Sequence, residues 1–153
     1  MFHDFIIGTK KSLKNQDENL LGEWWKYLLT NNVIVAGFDD TLEDRGTHIL
    51  RDTIRGGDWI LAYSPKHGYV GVGLAKSRTT YKLREDLSPD CLSTNSHYRG
   101  IRWLYYFESL DDAIPAEETG FFHPLQTQQT IDNEKAVKII KMLLQHPKAV
   151  IRP

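Results

Sequence analysis

Hydrophobic positions along the chain follow two periods. From Asn19 onward, Leu21, Trp25 and Leu28 recur at i, i+4 and i+7, and Asn31-Asn32 supplies a stop. That spacing predicts an amphipathic helix. Val33 to Phe38 is a continuous apolar run of strand length, which predicts a buried strand. Residues 40–56 are mixed; HILRDTIR places Leu50 and Ile54 at i, i+4 and fits a short helix at most. Arg55-Gly56-Gly57-Asp58 reads as a turn. Trp59 to Tyr63 and Tyr69 to Ala75 are strands joined by five residues, a hairpin. Residues 84–98, rich in Ser, Asp, Asn and Pro, predict a long loop. Ile101 to Phe107 is a further, strongly aromatic strand. Residues 109–129, interrupted by Pro115 and Pro124, read as irregular. Asp132 to Gln145 predicts a second helix with Val137, Ile140 and Leu144 as its inner stripe, ended by Pro147. Residues 1–18 turn polar and basic after the first few positions and read as a loosely held arm.

Too few helices lie between strands for a doubly wound parallel sheet. The order predicts an α+β fold: a small, curved mixed sheet or open barrel flanked by two or three helices. At 153 residues, 41% hydrophobic and 25% charged, the chain is expected to be one soluble globular domain. No apolar run approaches the ~20 residues that cross a bilayer, so no membrane partner is expected. The start, MFHDFIIGTKKSLK, carries its charges after a very short apolar stretch, the reverse of a secretory signal. The lone Cys91 forms no internal disulfide, and a reducing, cytoplasmic setting is expected.

The net charge of −1 hides an asymmetry. Residues 45–102 hold ten basic and five acidic residues, a net of +5; the rest hold nine and fifteen, a net of −6. Seven of those ten are Arg, whose planar fork suits phosphate. A basic middle fits an anion-binding face, or else solvated strand and loop ends with no shared face.

Signals for enzyme chemistry are weak. Gly71-Val72-Gly73 is a fragment of a phosphate loop with no following GKS or GKT; in a strand, glycines serve close packing. No two of the six histidines are spaced i, i+3 or i, i+4, and HExxH is absent, so no metal and no cofactor are expected. Asp39-Asp40 and Asp111-Asp112 are adjacent and read as turn or cap residues. Cys91 and His97 share a polar stretch, but a Cys–His nucleophile needs proximity that spacing does not show.

Several phrases, in order, resemble the PUA-like superfamily, especially its EVE and YTH branches. They are VIVAGFDD (33–40), GGDWILAYSPKHGYVGVGLAKS (56–77), RTTYKL (78–83), HYRGIRWLYYFESL (97–110) and HPLQTQQTIDNEKAVKIIKMLL (123–144). The resemblance spans roughly residues 24–145. It implies a small curved-sheet barrel that binds nucleic acid and holds one flipped, often methylated base in an aromatic-walled pocket. Position by position, Phe38 stands at the strand-end wall, where relatives often carry Trp. Tyr81 stands at the second wall, Asp39 where a polar residue bonds the base edge, and Trp103 at a core or pocket-floor position. EVE domains also serve as the specificity part of modification-dependent restriction GTPases of the McrB kind. A GTPase or nuclease subunit is therefore an expected partner, with methylated DNA as the ligand and RNA as the alternative.

The expected pocket comprises Phe38, Asp39, Trp59, Tyr63, Tyr81 and Trp103. The expected backbone contacts are Lys76, Arg78, Lys82, Arg84, Arg99 and Arg102. Each has a plainer reading: Trp59 as a surface aromatic, Tyr63 packed with its hydroxyl bonded, Arg102 paired with a carboxylate such as Asp58. Trp24 and Trp25 are adjacent on a helix, so one faces the core and the other caps its edge. Chemistry is expected to lie elsewhere than in this chain. A PUA-like enzyme acting on RNA or modified nucleosides through Lys82 or Asp39, and a purely structural domain with all aromatics in the core, are the competing readings.

Overall fold

The computed structural model describes residues 1–8, 18–37, 45–84, 96–124 and 126–152. Within them, β1 (Phe2–Ile6) is followed by α1 (Glu18–Asn31) and β2 (Val33–Gly37). A short turn of helix, α2 (Arg45–Thr47), runs into a wider π-helical turn (His48–Thr53). Then come β3 (Trp59–Ser64), β4 (Gly68–Ala75), a 3-10 turn (Arg78–Thr80), β5 (Lys82–Arg84) and the long β6 (Ser96–Tyr106). A second 3-10 turn (Leu110–Asp112), α3 (Ala116–Thr119), β7 (Gln128–Ile131), α4 (Asn133–Gln145) and β8 (Val150–Ile151) complete the order.

The strands form one sheet in the order β2-β6-β4-β3-β1-β7, with β5 and β8 also paired to β6. Strands β1 and β3 run parallel; the other pairs are antiparallel. The first half of β6 pairs with β2 and β5, the second half with β4 and β8. With bulges at Ala62/Tyr63 and Val72/Gly73, this curls the sheet into a half-barrel. The fold is α+β, as the order of elements predicts. Among the described residues no helix is long and apolar enough to cross a membrane.

The hairpin alternates between two cores. Ile60, Ala62, Val70 and Ala75 face α1, with Trp24, Trp25 and Trp103. Leu61, Tyr63, Tyr69 and Val72 face α4 and the 107–116 segment. The glycines of β4 serve close packing: a Cβ on Gly71 would lie 2.9 Å from the Trp25 ring, and one on Gly73 3.1 Å from Trp103. At Gly68, φ is +127° and a Cβ would strike the Ile114 carbonyl, so the hairpin turn requires glycine there.

Four expectations are corrected. The N-terminal residues are not an arm: β1 lies inside the sheet between β3 and β7, with His3, Asp4 and Phe5 buried. Its polar residues read as loop because their partners are distant. His3 meets Asp58 at 2.7 Å, and the Tyr69 hydroxyl donates to Asp4 at 3.1 Å. Helix α4 buries Ala136, Ile139 and Leu143, one residue from the expected stripe; Val137 and Leu144 are 41% and 39% exposed. Its apolar residues come in adjacent pairs, so two stripes fit the period and the helix's approach to the sheet selects one. Residues 128–131, polar and short, add β7 to the edge beside β1. Trp24 and Trp25 are both buried; Trp25 donates its indole N–H to the Phe107 carbonyl at 2.7 Å.

Candidate functional site

Tyr81 follows the hairpin through a tightly bonded corner. The Thr80 hydroxyl donates to the Ser77 carbonyl at 2.7 Å, and the Gly100 N–H donates to the Thr80 oxygen at 3.1 Å, which ties the 3-10 turn to β6. The half-buried Tyr81 then reaches α2. Its hydroxyl lies 3.0 Å from the Thr47 hydroxyl and 2.8 Å from His97 Nδ1. Its ring stacks with the His97 imidazole, centroids 6.0 Å apart and 22° between planes. His97 is fully buried on β6, opposite Ala36 of β2 and Leu83 of β5. Gly46 makes room for it: a Cβ there would overlap the imidazole, 2.6 Å from Cγ. Three segments, the 3-10 turn, α2 and β6, thus fix one phenol ring.

Arg99 is not a phosphate contact. It is fully buried, with Nη1 donating to the carbonyls of Leu50 (2.8 Å) and Ile54 (2.6 Å), and Nε and Nη2 donating to that of Lys76 (3.2 and 2.9 Å). Burial pulls its pKa down, and the Asp58 charge opposes that. The cation meets the carbonyl end of the π-helical turn, where positive charge is favoured. One guanidinium therefore holds both segments that flank Tyr81.

Those segments carry the basic band. Arg45, Arg55, Lys76, Arg78 and Lys82 are exposed, and Arg51 is 43% exposed. Residues 45–84 contain two acids, Asp52 and Asp58. Asp58 is turned inward, bonded by His3 and by the Arg55 N–H at 3.0 Å, with the Met1 amine at 3.4 Å. Burial pushes its pKa up, but these bonds and charges outweigh it and hold the carboxyl below its ordinary value. Asp52 faces solvent between Arg51 and Arg78. Arg84 is placed by backbone pairing with Ser96.

The rest of the expected pocket does not converge on Tyr81. Trp103 is core: fully buried, edge-on to Trp25, its N–H donating to the Leu28 carbonyl at 3.1 Å. Trp59 and Tyr63, four apart on β3, share the opposite face of the sheet. Trp59 stacks on Phe2 with centroids 5.9 Å apart. Tyr63 meets Tyr69 edge-on at 5.1 Å and lines a separate cavity of about 390 Å³ with His67, Glu117 and His123. Burial, then the charges of Glu117 and Asp4, push its phenol pKa up. Arg102, exposed on β6, is not the partner of Asp58, which His3 takes. Phe38, Asp39 and Cys91 lie outside the described residues. Sequence reasoning missed Gly46 and Thr47 and weighed His97 only beside Cys91, and no local pattern marks the three as the setting of Tyr81.

No family model and no curated protein matches the chain. Among solved structures it is similar to the NMR structure of Rpa0253 from Rhodopseudomonas palustris, a structural genomics target. The TM-score is 0.50 at 10% identity, covering 95% of this chain and 94% of that one. At that identity the likeness is one of fold: a curled mixed sheet with a few helices.

Proposed function

We propose that this chain is a PUA-like nucleic-acid-binding module that holds one extruded, modified base, a methylated base of DNA, against Tyr81. The observation that carries the reading is the setting of Tyr81. A half-buried ring, immobilised through its hydroxyl by Thr47 and His97, sits between two turns that bear the basic band. A fixed aromatic face is what base stacking requires, worth roughly 1–3 kcal/mol per base. Extruding the base costs a few kcal/mol. Lys76, Arg78, Lys82 and Arg84 supply phosphate contacts, so affinity falls with salt. A buried methyl adds about 0.8 kcal/mol, so preference for the mark depends on a close second wall. The family resemblance assigns that wall to Phe38 and the base-edge contact to Asp39. In this role the module directs a GTPase or nuclease subunit to marked DNA.

The test is fluorescence polarisation of matched duplexes, unmodified, cytosine-methylated and adenine-methylated, at two salt concentrations, with a ribose counterpart alongside. Methyl-dependent affinity that Tyr81→Ala removes is the expected result. Equal binding to all duplexes reduces the reading to a basic surface. Binding of the ribose strand alone moves it to RNA, and no binding at either salt refutes it.

A further inference from the structure

The geometry points to a two-guanidinium seat for one phosphate, formed by Arg51 and Arg78, with the Asp52 carboxylate as its internal occupant. The inference rests on the nucleic-acid reading above and goes beyond it by naming Arg51 and the competitor. Arg51 grips Asp52 with both edges of its fork, Nε to Oδ1 at 2.9 Å and Nη2 to Oδ2 at 3.1 Å. Arg78, from a different turn, brings Nη2 to within 3.1 Å of the same Oδ1. Three guanidinium nitrogens thus converge on one small anion. Such forks suit phosphate, whose oxygens accept paired N–H donors.

The seat is exposed and pre-arranged. Arg78 is 64% and Asp52 33% exposed, so an external anion reaches it. The backbones beneath are held by Arg99, which bonds the carbonyls of Leu50 and Ile54 on one side and of Lys76 on the other. The seat also lies beside the candidate base wall. Thr47, which bonds the Tyr81 hydroxyl, is one helical turn before Arg51, and Arg78 begins the 3-10 turn that leads into Tyr81. A phosphate here would belong to the nucleotide stacked on Tyr81 or to its neighbour.

Asp52 then acts as a brake. A backbone phosphate gains the two guanidiniums only by displacing a carboxylate that already neutralises them. Exposed ion pairs are weak, so displacement is feasible but measurable.

The experiment measures oligonucleotide affinity against salt for the wild type, Asp52→Asn, Arg51→Ala/Asp52→Asn, and Glu134→Gln. The last removes an exposed charge from α4, on the other side of the sheet. In parallel, arginine Nε NMR signals are followed while inorganic phosphate is added. Asp52→Asn should bind about two- to fivefold tighter than Glu134→Gln, the range of an exposed ion pair. The double variant should lose that gain, and phosphate should shift the Arg51 and Arg78 signals. Equal affinity of Asp52→Asn and Glu134→Gln, or weaker binding by Asp52→Asn, overturns the brake. Phosphate that leaves both arginine signals unmoved overturns the seat. If phosphate shifts both signals but no variant binds any oligonucleotide, the nucleic-acid reading fails and the phosphate seat stands.

Discussion

Arg99 offers the sharpest test, because two roles for it predict opposite results. In Arg99→Met the side chain keeps its length and loses its guanidinium. The Leu50 and Ile54 carbonyls, bonded at 2.8 and 2.6 Å, lose their donor. Each orphaned buried carbonyl costs about 1–3 kcal/mol. The Lys76 carbonyl lies nearer the surface and regains water. Relief from burying a cation offsets part of the loss. The net destabilisation should be about 2–4 kcal/mol, a large share of the 5–15 kcal/mol typical of a domain. Arg99→Lys should fall between, since one ammonium reaches the helical carbonyls but does not bridge to Lys76. Urea unfolding measures this: the midpoint should drop with the slope unchanged. If Arg99→Met shifts stability by less than about 0.5 kcal/mol, as a surface change does, the clamp is refuted. If it also lowers the salt slope of nucleic-acid binding by about one, Arg99 is a phosphate contact after all.

Gly46→Ala should push the His97 imidazole off Tyr81 and abolish base-dependent affinity; a crystal structure of the variant with the His97–Tyr81 bond intact would contradict this. Tyr81→Phe keeps the ring and loses the anchor, so polarisation assays should show a smaller loss of affinity than for Tyr81→Ala; equal losses would mean the ring does not stack. The two buried aspartates should respond oppositely to pH. Burial raises the Asp4 pKa despite Lys135, Gln129 and Tyr69, so its contribution to stability is present below about 3.8 and lost as pH rises through its folded value. Asp4→Asn should therefore gain stability relative to the wild type on going from pH 3 to pH 7. The Asp58 pKa is lowered on balance, so its contribution is present above about 3.8 and lost as pH falls through its folded value. Asp58→Asn should cost more at pH 7 than at pH 3, and urea midpoints at the two pH values check both signs.

Much of the fold is legible because its signals are local. Leu21, Trp25 and Leu28 repeat within one helix, and Asn32, at φ +53°, marks its end as the Asn31-Asn32 stop predicts. The 59–75 hairpin follows from two apolar runs and a turn, and its alternation places Trp59 and Tyr63 on one face. The site is less legible. Tyr81 lies among the basic residues of 76–82, but its anchors come from elsewhere. His97 is 16 positions away and Thr47 34.

The sequence by itself determined the periods of the strongly patterned elements, α1, the 59–75 hairpin and α4, and which of their side chains share a face; β1 and β7 carry no such period and were set by pairing in the sheet. Tertiary structure decided which face is inside. Trp59 and Tyr63 went to the face opposite Trp103, and α4 turned its 136–139–143 stripe inward rather than its neighbour. It also decided the fate of the polar residues. His3 finds Asp58 across 55 positions and Arg99 finds Leu50 across 49, so both are core where their chemistry reads as surface. The physical reason is that burying a polar group is tolerable only when its partner arrives. Closure of the curled sheet brings those partners together, and no window of adjacent residues contains that closure.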